Sequence, residues 1–533
     1  MRFKSKHFIY ALFAGVFLTK QLSAQELAKP YADIDYIHKS NAWLTSKNAA
    51  GLNHFNAGNI SNAELFFKKE DGGFRNYLQS DNSQAYGIQA DSYTRLNSKV
   101  VLSGGFGYQN FQGKNMTGSA FIDPYQNPFD IVEENTADKG TKQLELYNLN
   151  GAMSSQLSSK LSIGGKLDYQ AGNYAKRKDL RHINKLLDLD LSAGFLYKIS
   201  DLIELGANYN YSRRIESISF KVAGNKQEYN SLISYGSFYG LLDRFDDSGY
   251  TSGTNPLKDI RQGGSLQLNL NLNKNVTLFN EFSYADRNGF YGEEGTSSTL
   301  LTKHNGSDFA YNGQLSLKGN EVEHHISLRG SYQLLSNRDN ISLKQTTAGG
   351  VNVIVLYGDK EVFSGLTTNI GLNYDLFLAV KNNRPTWAIN FSGDYMGRDQ
   401  TSGLYPFYRD QKINSYLFSG QIKRQFEKEK GAFNIGLGMA YGLGSGEMAK
   451  DRIVATPSPD YVPLVTMTQF LNEEYEFFTA NRIRGNFTFQ YTRPLENNMS
   501  AFVKLNYAHT YAPKVTYLDK HFNATHISIG CNF

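Results

Sequence analysis

Residues 176–185 gather a dense group of bases, Lys176, Arg177, Lys178, Arg181, His182 and Lys185, around Asp179. Guanidinium and ammonium groups at this density pair with carboxylate or phosphate oxygens, so the segment is a candidate binder of an anionic solute. More often such a run is merely a solvated polar loop. A second candidate lies at 229–250, where Tyr229, Tyr235, Phe238, Tyr239, Phe245 and Tyr250 interleave with Gly236, Gly240 and Gly249. Rings in such a segment form a binding platform or fold inward as a constriction. Asp243, Asp246 and Asp247 add carboxylates that suit calcium, but their spacing follows no known loop motif. His324 and His325 are adjacent, and on a strand their side chains leave on opposite faces, so they do not share a metal. No Ser-His or Asp-His spacing singles out a catalytic group, and no cofactor or metal is assigned.

The elements that must position these residues are strands. In 265–273, Leu266, Leu268, Leu270 and Leu272 alternate with Gln267, Asn269 and Asn271. Phe433, Ile435, Leu437, Met439 and Tyr441 alternate with Asn434, Gly436, Gly438 and Ala440 in the same way. Period-2 patterning of this kind puts one oily and one wet face on each strand. It recurs around Ile203, Leu161 and Ile370. On the wet parity lie Lys166, Asp168, Asp190, Glu204, Arg329, Lys423, Arg484 and Lys504, with Lys160 and Asp188. If that face lines a lumen, such charges either set solute selectivity or pair with one another and fill the interior.

The ends and the composition bound the class. Arg2, Lys4 and Lys6 precede an apolar run from Phe8 to Leu18, then Leu22-Ser23-Ala24, which reads as a signal peptide cleaved after Ala24. The run is shorter than the roughly twenty residues of a membrane-spanning helix, and no later stretch reaches that length. Mean hydropathy is −0.46, so a helical membrane protein is excluded. The 35 Tyr, 35 Phe and 49 Gly suit aromatic girdles around a wet lumen. One cysteine, Cys531, cannot form an internal disulfide and falls on the lipid-facing parity. A net charge of +5 spread along 533 residues gives no support for nucleic-acid binding.

Short turns such as Ser158-Ser159, Ser200-Asp201 and Lys274-Asn275 take turns with long polar stretches at 112–141, 175–185, 222–262, 292–306, 336–362, 398–412, 445–473 and 512–522. That asymmetry predicts an all-β fold, a transmembrane antiparallel up-and-down β-barrel with short periplasmic turns and long extracellular loops. From Ala63–Lys69 to the C-terminus the count is about 18 strands, with 16 to 20 compatible. Only a closed sheet leaves no unpaired edge in lipid. The last strand carries Ile527, Ile529 and a terminal Phe533 on one face, resembling the signal that barrel-insertion machinery reads. Residues 25–62 precede the barrel as a periplasmic or hatch-like segment, too short for the plug of an energised receptor.

Within that segment, Asn48-Ala49-Ala50-Gly51-Leu52 resembles the Asn-Pro-Ala-Gly-Leu type start of outer-membrane transporters for hydrophobic compounds, with Ala49 in place of Pro. Trp43 with Asn48 to Leu52, Lys176 to His182 with Asn184, and Ser231 to Gly240 with Gly249-Tyr250-Thr251 together resemble a family of uncharacterised Gram-negative outer-membrane β-barrel proteins. The resemblance implies the barrel and its location and brings no substrate. Expected functions are, first, a pore or accessory in nutrient or metal uptake, with an energised outer-membrane receptor as partner. Next come a non-conducting surface-binding or structural barrel, a hydrophobic-compound channel and, last, a rim-located hydrolase. Outer-membrane lipid and lipopolysaccharide, whose phosphates the basic group would meet, are the expected surroundings.

Overall fold

The computed structural model describes residues 33–533 except 58, 134–137, 225–227, 248, 294–298, 347–349, 351, 429, 460 and 497–498. The expected leader, 1–24, lies outside the described residues. Strands β1 (Ile60–Gly72), β2 (Asn82–Arg95), β3 (Val100–Met116), β4 (Asp130–Glu133), β5 (Gly140–Gln156), β6 (Leu161–Lys176), β7 (Arg181–Lys198) and β8 (Ile203–Lys221) come first. Then follow β9 (Asn230–Gly236), β10 (Tyr239–Arg244), β11 (Thr254–Asn273), β12 (Val276–Gly292), β13 (Leu300–Lys318), β14 (Val322–Thr346) and β15 (Asn352–Leu378). The chain ends with β16 (Trp387–Leu404), β17 (Phe407–Lys428), β18 (Gly431–Ile453), β19 (Val465–Thr466), β20 (Arg482–Pro494), β21 (Ser500–Tyr511) and β22 (His521–Asn532). Helices α1 (Ile34–Ser40) and α2 (Thr468–Thr479) lie outside the sheets.

Eighteen of these strands form one antiparallel sheet in which each pairs with its neighbour along the chain. The sheet closes where β22 meets β1, with Ile529 opposite Leu65 and Ile527 opposite Phe67. The fold is therefore the closed up-and-down barrel of 18 strands that the alternation predicts. Its outward parity is apolar: Leu266 (67%), Met439 (65%) and Phe282 (61%) are mostly exposed. Exposure of this extent repeated around the whole circumference would cost water-facing apolar area, and in hydrocarbon it costs nothing. The inward parity carries Gln267, Asn269, Ser283 and Asp308.

Several expected loops are strand. β14 and β15 pair up to Thr346 opposite Asn352, through most of 336–362, and β16 pairs with β17 through 398–412. The 175–185 segment is a tight hairpin from β6 into β7, since Ala175 already pairs with Ile183. About 9–11 residues suffice to cross a bilayer, so long strands continue above it. There the outer face no longer meets lipid, the oily alternation stops, and the sequence reads as loop although the backbone stays paired.

Three outer connections do leave the wall and fold together. β4, from the β3–β5 connection, β9 and β10, from the β8–β11 connection, and β19, from the β18–β20 connection, form a second antiparallel sheet in the order β4-β9-β10-β19. Ile131 pairs with Ile233, Leu232 with Leu242, and Tyr239 with Thr466. The β9–β10 turn holds Ser237 and Phe238 at φ 50° and 51°. Side chains other than glycine resist that left-handed conformation. Phe238 offsets the strain by packing edge-on to Tyr77, ring centroids 4.8 Å apart, in a cluster with Phe470.

Candidate functional site: a lumen closed at both ends

The inner sheet is tied to wall strands on opposite sides of the bore. On one side Glu133 of β4 meets two buried ammonium groups, Lys142 of β5 at 3.4 Å and Lys176 of β6. Lys142 also donates to the carbonyls of Ser119 at 2.6 Å and Thr117 at 3.2 Å. On the other side Tyr235 donates to Asp339 of β14 at 2.7 Å, and Gln400 of β16 to Ser237 at 2.6 Å. Arg409 of β17 lies 4.3 Å over the Tyr239 ring, an attraction of cation to ring face. Arg398 of β16 holds Glu474 of α2 with two hydrogen bonds, 2.6 and 3.3 Å. Between the sheet and the wall sits an apolar core including Phe121, Phe129, Ile131, Ile233, Tyr235 and Tyr291.

Asp130 adds a pH-sensitive element to this closure. Ser119 Oγ donates to it at 2.6 Å and Tyr77 OH at 3.1 Å, yet burial pushes its carboxyl up to about 6. The docked sheet then binds a proton near pH 6 that a solvated loop takes up only near 3.8. Docking is expected to strengthen as pH falls from 6 toward 4, by up to about 3 kcal/mol, and to lose that gain as pH rises through 6. Protease protection of the inner sheet compared at pH 7 and pH 5 measures this. Asp130→Asn should flatten the difference, and an equal pH response in that variant would assign it to another group.

The opposite end is closed by residues 33–57. Asp33 N donates to Asn383 O, Tyr36 OH to Glu323 and Lys39 to Asp375, anchoring α1 to β14, β15 and the following turn. Ser46 binds Glu281 of β12. Across the bore, Arg95 of β2 donates to the carbonyls of Asn53 at 2.8 Å and Phe55 at 2.6 Å. Asn48 is the pivot: its amide donates to Phe195 O at 2.8 Å and Gln267 Oε1 at 2.9 Å, while its Oδ1 accepts from Ala50 N. The wall makes room with glycines. A Cβ on Gly164 would strike the backbone of Ala49 and Ala50, on Gly194 it would lie 2.6 Å from Asn48 Oδ1, and on Gly206 2.9 Å from Asn48 Nδ2. Three successive strands thus present a notch shaped to one short segment.

Between the closures lie adjoining cavities of about 470, 510 and 330 Å3. The first is lined by Lys47, Lys166, Asp168, Asp190, Arg261 and Asp308, the second by Arg329, Asp394 and Arg482. Lys166 and Asp168 pair at 2.8 Å while remaining partly exposed. The third cavity reaches under the inner sheet, where Tyr125, Phe363 and Phe478 face Arg261 and Arg398. Glu204 is instead buried near the hatch, accepting from Asn269 at 3.0 Å with His54 at 3.5 Å. Lys423, Arg484 and Lys504 sit on the lumen parity of β17, β20 and β21.

The basic group at 176–185 is not one surface. Lys176 and His182 are buried and point inward, His182 onto Asn184 at 2.9 Å. Arg177, Lys178, Arg181 and Lys185 are exposed, and Arg181 is paired with Asp179 at 2.8 Å. Pleating splits the run between faces, which charge density along the sequence hides. The aromatic residues at 235–250 are likewise no exposed platform. Tyr235, Phe238 and Tyr239 are buried in the inner sheet, and Phe245 and Tyr250 pack against its core. Asp243 accepts from the Tyr250 and Thr251 backbone and from Thr251 Oγ1, so it shapes its own loop. Among the described residues no group of three or more His, Cys, Asp or Glu is arranged to hold a metal. Ile527 and Ile529 line the outward face of β22, and Phe533, just past its end, is exposed and exchanges backbone hydrogen bonds with Ser61. Glu133, Lys142, Arg261 and Glu474 went unmarked in the sequence, because each gains its role from a partner far along the chain.

The chain matches no curated protein in sequence. Among solved structures it is similar to BauA, the ferric preacinetobactin receptor from Acinetobacter baumannii, at 8% identity over 89% of this chain and 79% of that one, with a TM-score of 0.39. A mutant of the ferric enterobactin receptor PfeA from Pseudomonas aeruginosa gives 9%, 90%, 81% and 0.40. The Ralstonia pickettii toluene transporter TbuX gives 10%, 95%, 96% and 0.29. Residues 49–533, from the notch-bound segment to the C-terminus, match a family of unknown function, and the chain belongs to that family, DUF6850.

Proposed function

We propose that the protein is an outer-membrane barrel that passes a small polar solute through a bore gated at both ends. The observation that carries this reading is the arrangement of the closures. Two separate, non-covalently held segments cover opposite ends of a chamber lined by charges of both signs. The mixed charge of Lys166, Asp168, Asp190 and Arg329 suits a polar or zwitterionic solute and gives no help to a hydrophobic one. Purified protein in planar bilayers tests the idea. Wild type is expected to conduct weakly, and deleting the β9–β10 hairpin should raise conductance clearly, since the hairpin covers the bore. A deletion variant that inserts and stays silent sinks the gated pore.

A second reading, a non-conducting surface or structural barrel, draws on the packing of the inner sheet. Leu232, Ile233 and Ile131 are at most 1% exposed, the density of a permanent core. Hydrogen exchange in β9 as slow as in wall strands would favour it. An energised receptor in the same membrane is the proposed partner under the first reading, because no energy source lies within a closed barrel. Export by the leader at 1–24, insertion through the C-terminal Ile527, Ile529 and Phe533, and contact of Arg177, Lys178, Arg181 and Lys185 with lipopolysaccharide phosphates complete the proposal.

A further inference from the structure

At the outer rim of the β21–β22–β1 seam, a chain of polar side chains on the outward face ends in two histidines. Asp71 of β1 accepts from the Asn523 amide nitrogen at 3.1 Å. That sets the other end of the amide: Asn523 Oδ1 accepts from Tyr507 OH at 3.0 Å and lies 2.8 Å from His509 Nδ1. A carbonyl oxygen only accepts, so His509 Nδ1 carries the proton and Nε2 presents a lone pair. That lone pair faces Nδ1 of His521 at 3.4 Å. A good hydrogen bond from a ring N–H would be nearer 2.9–3.0 Å. Two zinc–nitrogen bonds of about 2.0–2.1 Å at a tetrahedral angle instead hold their nitrogens roughly 3.3–3.4 Å apart.

We propose that His509 and His521 bind one divalent transition-metal ion at the outer rim, with water completing its shell. Imidazole donors select zinc, copper(II) or nickel over magnesium and calcium. The Asp71–Asn523–His509 relay is the outer arrangement that fixes a ligating histidine's tautomer and raises its basicity. Tyr511 stacks on His521, ring centroids 4.9 Å apart, and orients the second ring. His521 is exposed, so the ion arrives from outside the cell without entering the bore. The site stands apart from the lumen, and its success or failure leaves the gated-pore reading untouched.

The test uses the full chain in detergent, without a polyhistidine tag, titrated with copper(II) sulfate and followed by electron paramagnetic resonance. One copper per chain is expected, with couplings from two imidazole nitrogens, and a large excess of zinc chloride should compete for the same site. His509→Ala and His521→Ala should each abolish the two-nitrogen signal, and Asn523→Ala should weaken binding by about 10–100-fold. Heat-modifiable migration on gels checks that each variant remains a barrel. A wild-type spectrum without two-nitrogen coupling overturns the proposal and needs no variant. So does a His509→Ala/His521→Ala protein that binds copper with unchanged affinity.

Discussion

Glu133→Gln is expected to unlatch the inner sheet, destabilising its docking by about 3–5 kcal/mol, the usual effect of removing one partner from a buried ion pair. The side chains of Lys142 and Lys176 are 1% and 0% exposed, and Glu133 is the carboxylate both of them reach. Without it, two ammonium groups stay buried, Lys142 against the Thr117 and Ser119 carbonyls, which cannot balance its charge, and Lys176 without the carboxylate it reaches. The sheet can lift away and let water in, because it is held to the wall by side chains and not by the wall's own ladder. Faster tryptic cleavage after Arg244, at the end of β10 in the inner sheet, and higher conductance are the readouts. A companion variant, Glu133→Leu with Lys142→Met and Lys176→Met, removes all three charges while keeping their bulk and should dock about as well as wild type. If Glu133→Gln protein resists trypsin as wild type does, the latch is not electrostatic.

Gly164→Val is expected to expel the N-terminal segment from its notch. The new Cβ would occupy space held by the backbone of Ala49 and Ala50, and Ala50 is fully buried, so the segment has no room to yield. Overpacking of this kind costs about 1–3 kcal/mol, roughly a 10–100-fold shift from docked to undocked. The wall strand itself loses nothing, since valine suits a pleated sheet. Gly151→Val on the adjoining strand makes the control, because a Cβ there meets nothing within 4 Å. Trp43 gives the signal: it is 4% exposed, stacked on His54, and one of two tryptophans in the chain. In a Trp387→Phe background its emission should shift to longer wavelength in Gly164→Val and stay put in Gly151→Val. An unshifted spectrum in both would show that the segment is held elsewhere.

The two closures were unequally legible in the sequence. Asn48 to Leu52 stood out as a motif, and the structure seats it in the wall, but nothing in the local sequence marks Gly164, Gly194 and Gly206 as its receiving surface. Each glycine sits on a different strand, and register alone brings them into line. The aromatic run from Tyr235 to Tyr250 was visible while its direction was not. Rings exposed on a loop and rings buried under one have the same composition, and the choice depends on β4 and β19, which arrive from connections far along the chain. His509 and His521 were passed over for the same reason, since their meeting needs a hairpin whose strands flank 512–520.

By itself the sequence determined that this chain is built of strands with one oily and one wet face, how many there are to within a pair, and that they close on themselves. Those properties follow from a two-residue period and from the need to pair every backbone group in lipid, both local or universal. Only the tertiary structure decided that the bore is covered at both ends, which charges are latched and which face the chamber, and where the connections go. Such contacts join residues tens to hundreds of positions apart, and no periodicity along the chain encodes which distant partner a buried charge or a glycine will meet.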